Sequence, residues 1–458
     1  FRRRNFAMRC VRRSKNVRSW DDAPRELRSR RKQDLERTPA GFGVRIALNI
    51  AVWVKPISES GMQLNPTRPT AGLYHPPFED FGGGEMVAAW TLQVLQEEHD
   101  TILYCEKTPD FARIDDRFGT KLSERPPTVI LPSKRWAWLR MVWPGKGISM
   151  RKSLAVRDLL RIDRRFNPRI WVSTSDEMTM PKPGLQYIHM PDITRANRFA
   201  LPPEDWSWLH RTVWIVLQKI SVWLGPKSGA TFDTHRSVTN STWTAKTLRP
   251  TGGREVGLIY PPVPPFPPGL PWEQREERVV CVGRWATLKR MDVVVDIVRR
   301  ARLAGASNLR LAFAGFWHAT ESERETIMKH CSGLNWIEWH ERLGRKDMQE
   351  LVGSSRYGLH AMIDEHFGIA VAEMMTAGCV VFAHDSGGPP EILVDRRQLY
   401  ADAEDGGRIL HEVCTSPALQ AELHQAARPR GMRFSPEKFC DAMREEIRDC
   451  EESQSCPS

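Results

Sequence analysis

At 458 residues the chain is too long for one ordinary hydrophobic core, and its 41% hydrophobic and 27% charged residues are the proportions of a water-soluble globular protein. No apolar run approaches the ~18 residues that a membrane-spanning helix needs, and the nine cysteines form no C-x-x-C pair, which argues against a disulfide framework or a zinc site and favours a reducing, cytoplasmic setting. The net charge of +11 suggests nucleic acid until it is located: residues 1–37 hold fourteen Lys and Arg against five Asp and Glu, so the rest of the chain is close to neutral and nucleic acid is not the expected partner. The opening "FRRRNFAMRCVRR" also lacks the apolar centre of a secretion signal.

In chain order, residues 1–69 read as a basic, poorly ordered segment, although the run at 44–54 looks extended. Residues 70–260 alternate short apolar runs with helical patterns, the mark of parallel α/β units. The strand candidates there are 71–75, 101–105, 128–131, 169–173, 185–189 and 237–241, and "FGGGE" at 81–85 opens a helix between the first two. Two Trp-rich stretches, 136–143 and 206–223, read as amphipathic helix packed on a sheet, or as a face for the interface of an anionic membrane. "YPPVPPFPPGLP" at 260–271 continues neither helix nor central strand, and residues 261–277 read as a semi-rigid linker.

Residues 278–430 repeat the α/β order more cleanly. Strands at 278–283, 309–315, 336–340, 357–363 and 379–384, with helices between them, make a five-stranded doubly wound sheet. The remaining residues, 431–458, read as a C-terminal helix starting at Ser435–Pro436, then a frayed end.

"EHFGIAVAE" places Glu365 at the carboxyl end of a strand and Glu373 eight positions on, inside the next helix. Ligands of open α/β sheets bind at strand carboxyl ends, and a helix N-terminus there suits phosphate. Two acids ~12 Å apart on a helix can accept hydroxyls from both ends of one elongated ligand. A nucleotide-sugar has that layout. "GRWATLKR" supplies Arg284 and Lys289 for its diphosphate, after Gly283 on a strand of the same sheet.

These stretches, with "FGGGE", "YIHMP" and "TNSTWT", resemble glycosyltransferase family 4, whose E-x7-E signature and G-R-x4-K phosphate motif they match over roughly residues 70–450. The resemblance implies the GT-B architecture, two Rossmann-like doubly wound domains facing a cleft. It implies that Arg284 and Lys289 bind the donor diphosphate, Glu373 the ribose and Glu365 the donor sugar. The backbone of Phe367, Gly368 and Ile369 would approach the donor, with Gly82, Gly83 and Gly84 admitting the other domain to the phosphates and His189 facing the reacting sugar. It further implies a retaining transfer of a hexose, with mannose the leading guess, from a GDP- or UDP-linked donor. No metal and no other cofactor is expected, and the chain has no D-x-D triplet. The acceptor would be a glycan, a lipid-linked or a small molecule, with peripheral contact to an anionic, cytoplasmic membrane face as a further expectation.

Plainer readings stand beside these. Glu365 can be an exposed residue at a helix start, Glu373 a paired structural acid, His189 a hydrogen-bonded strand-end histidine, and His360, His366 and His384 polar packing rather than metal ligands. An epimerase of the same architecture, or a non-catalytic binding protein, is the alternative function.

Overall fold

The structure is a computed structural model that describes residues 67–79, 81–132, 148–191, 207–208, 212, 215–216, 234–248 and 256–455. The basic segment 1–37, the extended run at 44–54, the first Trp-rich stretch and nearly all of the second lie outside the described residues.

The first sheet has seven parallel strands in the order β3-β2-β1-β4-β5-β6-β7. They are β1 (Thr70–Tyr74), β2 (Asp100–Tyr104), β3 (Thr128–Ile130), β4 (Ile170–Ser173), β5 (Leu185–Ile188), β6 (Arg236–Thr239) and β7 (Gly257–Leu258). Helices α1 (Gly83–Glu98), α2 (Phe111–Phe118), α3 (Ile148–Phe166) and α4 (Thr242–Thr247) fill the connections. Buried strand residues such as Leu73, Leu103, Ile170 and Leu185 leave no polar face, as a parallel sheet covered on both sides requires.

The second sheet is also wholly parallel, in the order β10-β9-β8-β11-β12-β13. Its strands are β8 (Glu276–Trp285), β9 (Arg310–Trp317), β10 (Ile337–Glu341), β11 (Ser355–His360), β12 (Val380–His384) and β13 (Leu399–Tyr400). Helices α5 (Met291–Ala304), α6 (Glu321–His330), α7 (Arg345–Gly353), α8 (Ile369–Thr376), α9 (Pro389–Leu393), α10 (Ala403–Thr415) and α11 (Pro417–Gly431) follow in order. This is the dinucleotide-fold order, in which the chain reverses direction beside the first strand of the sheet and leaves a crevice between β8 and β11. The described residues therefore form an α/β fold of two Rossmann-like sheets.

Two sequence expectations for the second sheet need correction. The second sheet has six strands rather than five, because β13 pairs with β12 through only two residues, too few to show a period. Strand β11 stops at His360 instead of running to Ile363, since the chain turns through Asp364 at φ +53°. The Pro-rich segment joins the two sheets, and Val263 and Phe266 are buried in the second sheet's core with Val352, Phe367 and Phe434.

The last helix, α12 (Pro436–Ser455), returns to the first sheet. Phe439, Met443 and Ile447 sit in one core cluster with Leu92, Leu95 and Tyr187. Arg444 pairs with Glu97 at 2.8 Å, and the buried His99 meets Glu451 at 2.7 Å. Because the aromatic ring of Phe439 is fully enclosed, Phe439→Ala should lower stability by about 3–5 kcal/mol. Urea midpoints of parent and variant measure this, and an unchanged midpoint would show that α12 is dispensable to the first core.

Candidate active site

The crevice between β8 and β11 gathers groups from three separate stretches of sequence. Arg284 stands exposed near the carboxyl end of β8. Lys289 follows on a 3-10 turn, Thr287–Lys289, after which Arg290 at φ +49° starts α5. Its ammonium reaches Glu365 Oε2 at 2.5 Å, and His360 Nε2 lies 3.0 Å from the same oxygen. The Tyr400 hydroxyl donates to the His360 carbonyl at 2.8 Å, so the short strand β13 buttresses this end of β11. Burial alone would raise the Glu365 pKa, but the His360 hydrogen bond and the Lys289 charge outweigh it and hold the carboxyl well below the usual carboxylate range.

The turn carrying Glu365 is packed backbone to backbone against the glycine turn before α9. Gly388 N–H donates to the Glu365 carbonyl at 2.7 Å. Gly387 has φ +74°, and a Cβ there would stand 2.2 Å from the same carbonyl oxygen, so only glycine fits. Helix α8 then starts from Gly368 at φ +105°, with the free amides of its first turn beside the crevice.

Glu373 sits on α8, half-buried. Burial raises its pKa, against the opposing charges of Arg117 on α2 and Arg345 on α7. Arg345 donates to the Arg117 carbonyl at 2.6 Å, so the first domain contributes directly to the surroundings of this acid.

On the first domain's side, Gly83 is pressed against α8: a Cβ there would lie 2.4 Å from Ile369 Cδ1. A Cβ on Gly84 would lie 3.9 Å from Nε2 of His189, a buried atom with no hydrogen-bond partner among the described residues. Gly82 N–H donates to Glu85 Oε2 at 3.0 Å and begins α1. Burial lowers the His189 pKa to about 4, helped by the nearby His366. His75, at the end of β1, is lowered to about 3 by burial and by His189, and its Nδ1 lies 2.9 Å from Thr174 Oγ1.

The structure thus brings Lys289 and Glu365 into contact, sets Gly83 against Ile369, and puts Gly84 beside His189. Arg284 lies on the same strand as the Lys289 turn. His75, Arg117, Arg345 and His360 were not singled out from the sequence for these positions, because each meets the site from a different element and no local spacing marks it. Among the described residues no group of three or more His, Cys, Asp or Glu is placed to hold a metal ion. No described helix is long and apolar enough to cross a membrane.

Residues 265–428 match the family "Glycosyl transferases group 1". The whole architecture aligns with three solved glycosyltransferase folds. Sucrose-phosphate synthase from Thermosynechococcus elongatus gives a TM-score of 0.58 at 13% identity, over 84% of this chain and 100% of that one. WaaG, a glycosyltransferase involved in lipopolysaccharide biosynthesis, gives 0.56 at 13% identity, over 82% and 99%. Anabaena Alr3699/HepE in complex with UDP-glucose gives 0.55 at 14% identity, over 83% and 100%. The fold is thus of the GT-B type, and residues 265–428 carry the matched domain.

In sequence the chain is similar to GDP-Man:Man(3)GlcNAc(2)-PP-Dol alpha-1,2-mannosyltransferases. The protein from Xenopus tropicalis is 25% identical over 427 residues, 80% of this chain and 84% of that protein. The one from Dictyostelium discoideum is 22% identical over 434 residues, 80% and 82%. The one from Eremothecium gossypii is 24% identical over 366 residues, and that alignment spans 60% of the relative's own length.

The two lowered histidines set a pH dependence. Unfolded, each takes up a proton near pH ~6.5; folded, His189 does so at about 4 and His75 at about 3. The unfolded chain therefore binds more protons between ~4 and ~6.5, and stability rises with pH across that window by up to ~1.4 kcal/mol per unit for each group. His75→Gln removes one of them, so its melting temperature should fall less than the parent's between pH 7 and pH 5. Equal falls would contradict the assignment.

Proposed function

We propose that the protein is a retaining hexosyltransferase that moves a sugar, mannose first among the candidates, from a nucleoside-diphosphate donor to a hydroxyl of a glycan or lipid-linked acceptor. The single observation that carries this is the contact of Lys289 with Glu365 at the mouth of the β8–β11 crevice, at the start of the α8 amides. A cation, an ionised acid and a helix N-terminus so arranged suit a diphosphate joined to a polyhydroxylated ring. The relatives named above act with GDP-mannose on a dolichol-linked oligosaccharide, as their names state, which supports the donor and acceptor classes.

In this reading Arg284, Lys289 and the α8 amides hold the donor diphosphate. As the bond between the anomeric carbon and the phosphate oxygen breaks, charge grows on that oxygen, and fixed cations stabilise it more in the transition state than before it. The acceptor hydroxyl oxygen bonds the anomeric carbon on the same face, and its proton passes to the departing phosphate oxygen. Glu365 remains charged and accepts sugar hydroxyls; neutral His189 offers its unpartnered Nε2 to the sugar from the opposite wall. Glu373 accepts the ribose hydroxyls, an exchange that gives its crowded carboxyl the partners it lacks among the described residues. Gly82, Gly83 and Gly84 keep that wall free of side chains, and the backbone of Phe367, Gly368 and Ile369 lines the other. Peripheral contact with an anionic membrane would bring a lipid-linked acceptor within reach. Besides donor and acceptor the scheme calls for no metal or other cofactor.

A thermal-shift panel of GDP-mannose, UDP-glucose and UDP-N-acetylglucosamine tests the reading, since a ligand at ~100 times its Kd adds ~2.7 kcal/mol of stability. No shift with any nucleotide-sugar would refute it. Glu373→Gln should weaken donor binding by about 1–3 kcal/mol. Without ligand the same variant should melt no lower than the parent, because it removes an acid whose charged form burial disfavours. Lys289→Ala should chiefly lower turnover, since it faces growing charge.

A further inference from the structure

Two consecutive side chains on the turn from β6 into α4 each hold one wall of the cleft. Asn240 Nδ2 donates to the His189 carbonyl at 3.2 Å, and Ser241 Oγ donates to the His366 carbonyl at 2.5 Å. Both residues are buried, Ser241 completely. The first bond fixes the turn after β5 in the first domain. The second fixes the turn between Glu365 and Phe367 in the second.

The helix bearing them is anchored from across the cleft. Glu391, in the first turn of α9, accepts the free amides of Thr242 at 3.0 Å and Trp243 at 2.8 Å. The Tyr260 hydroxyl donates to the same carboxylate at 3.1 Å. A carboxylate spanning two free amides of a helix start satisfies donors that would otherwise be buried and unpaired. The Trp243 ring meets the His366 ring edge-on, with centroids 5.6 Å apart. The glycine turn that leads to Glu391 also receives the Glu365 carbonyl through Gly388. The acid-bearing turn is thus gripped on both sides, by glycine backbone from its own domain and by Ser241 from the other.

We propose that Asn240, Ser241 and Glu391 are positioning residues for glycosyl transfer: they staple the His189 turn to the Glu365–Phe367 turn and so set the distance between the two walls. The inference rests on the reading given under Proposed function. None of the three needs to touch the reacting atoms. Their effect is on geometry, where a displacement of ~1 Å at the reacting centre costs on the order of 10²-fold in rate.

The test uses Ser241→Ala, Glu391→Ala and Glu391→Gln in the full chain. Ser241 also caps α4 through the Thr244 amide at 3.0 Å, so a lower melting temperature alone decides nothing. Ser241→Ala and Glu391→Ala should each lower kcat by ~10–100-fold with donor KM changed by less than about threefold. The double variant should fall no further than the weaker single one, since both act through one contact. Glu391→Gln keeps an acceptor oxygen and should recover most of the rate. Hydrogen exchange of peptides spanning 364–371 should quicken in both alanine variants with no substrate present. Unchanged exchange there, or kcat equal to the parent's, overturns the staple. If GDP and UDP shift the melting temperature of no variant and not of the parent, the proposed function has failed instead, and the exchange result alone then decides whether the staple exists.

Discussion

A carboxylate that must stay charged in a half-closed crevice constrains everything around it. The Glu365 side chain is 16% exposed, too little for water to solvate it fully, so the fold has to supply its counter-charge. Lys289 comes from the turn after β8 and His360 from the end of β11, and these strands are neighbours only because the sheet order reverses there. Topology therefore delivers the cation to the acid. The same ion pair occupies Lys289 before any donor arrives. In the proposed reading a diphosphate entering the crevice would share a cation already held in place, which would lower the ordering cost of a flexible lysine.

The second acid shows the opposite electrostatics. Glu365 is paired by direct contact, while Glu373 has only the more distant Arg117 and Arg345 to set against its burial. Two carboxyl groups on one nine-residue stretch thus differ in what they offer a ligand. One is a settled anion. The other is an acid whose charged form burial disfavours, and in the proposed reading it would gain by meeting hydroxyl groups, so that binding and stability would pull in different directions at position 373.

How much of this could be read in the chain follows from where the signal resides. The β/α alternation was legible because buried parallel strands such as 279–282 and 380–383 are continuous apolar runs. Strands of two residues, β7 and β13, carry no such run and were missed, although Tyr400 on β13 supports His360. The acids and cations of the crevice were legible as a local spacing in "EHFGIAVAE" and "GRWATLKR". Gly83 was legible as a glycine, but its reason, the methyl of Ile369 across the cleft, is a contact between domains that no local pattern encodes. Glu391 carries no such local signal, for the same reason: its partners at 242 and 243 lie 149 and 148 residues away in sequence. Val263 and Phe266 show the converse, where proline composition suggested a spacer and the two large side chains between the prolines decided that it docks.

The chain passes between the domains twice, and the two passages touch. The Val263 amide donates to the Phe434 carbonyl at 2.7 Å, which ties the Pro-rich segment to the entry of α12. Tyr260 meets Phe434 edge-on at 5.0 Å, Phe434 meets Phe367 at 5.2 Å, and Tyr260 meets Phe367 at 5.7 Å. The two crossings are therefore bonded to each other at one place. Phe367 belongs to that aromatic trio and also follows Glu365 by two residues. The aromatic trio and the acid-bearing turn are therefore one packed unit, with Glu391 bonded to Tyr260 at its edge. Aromatic packing at this density does not yield without shifting the backbone it is attached to, so the interdomain crossing and the turn that carries Glu365 are mechanically joined through Phe367.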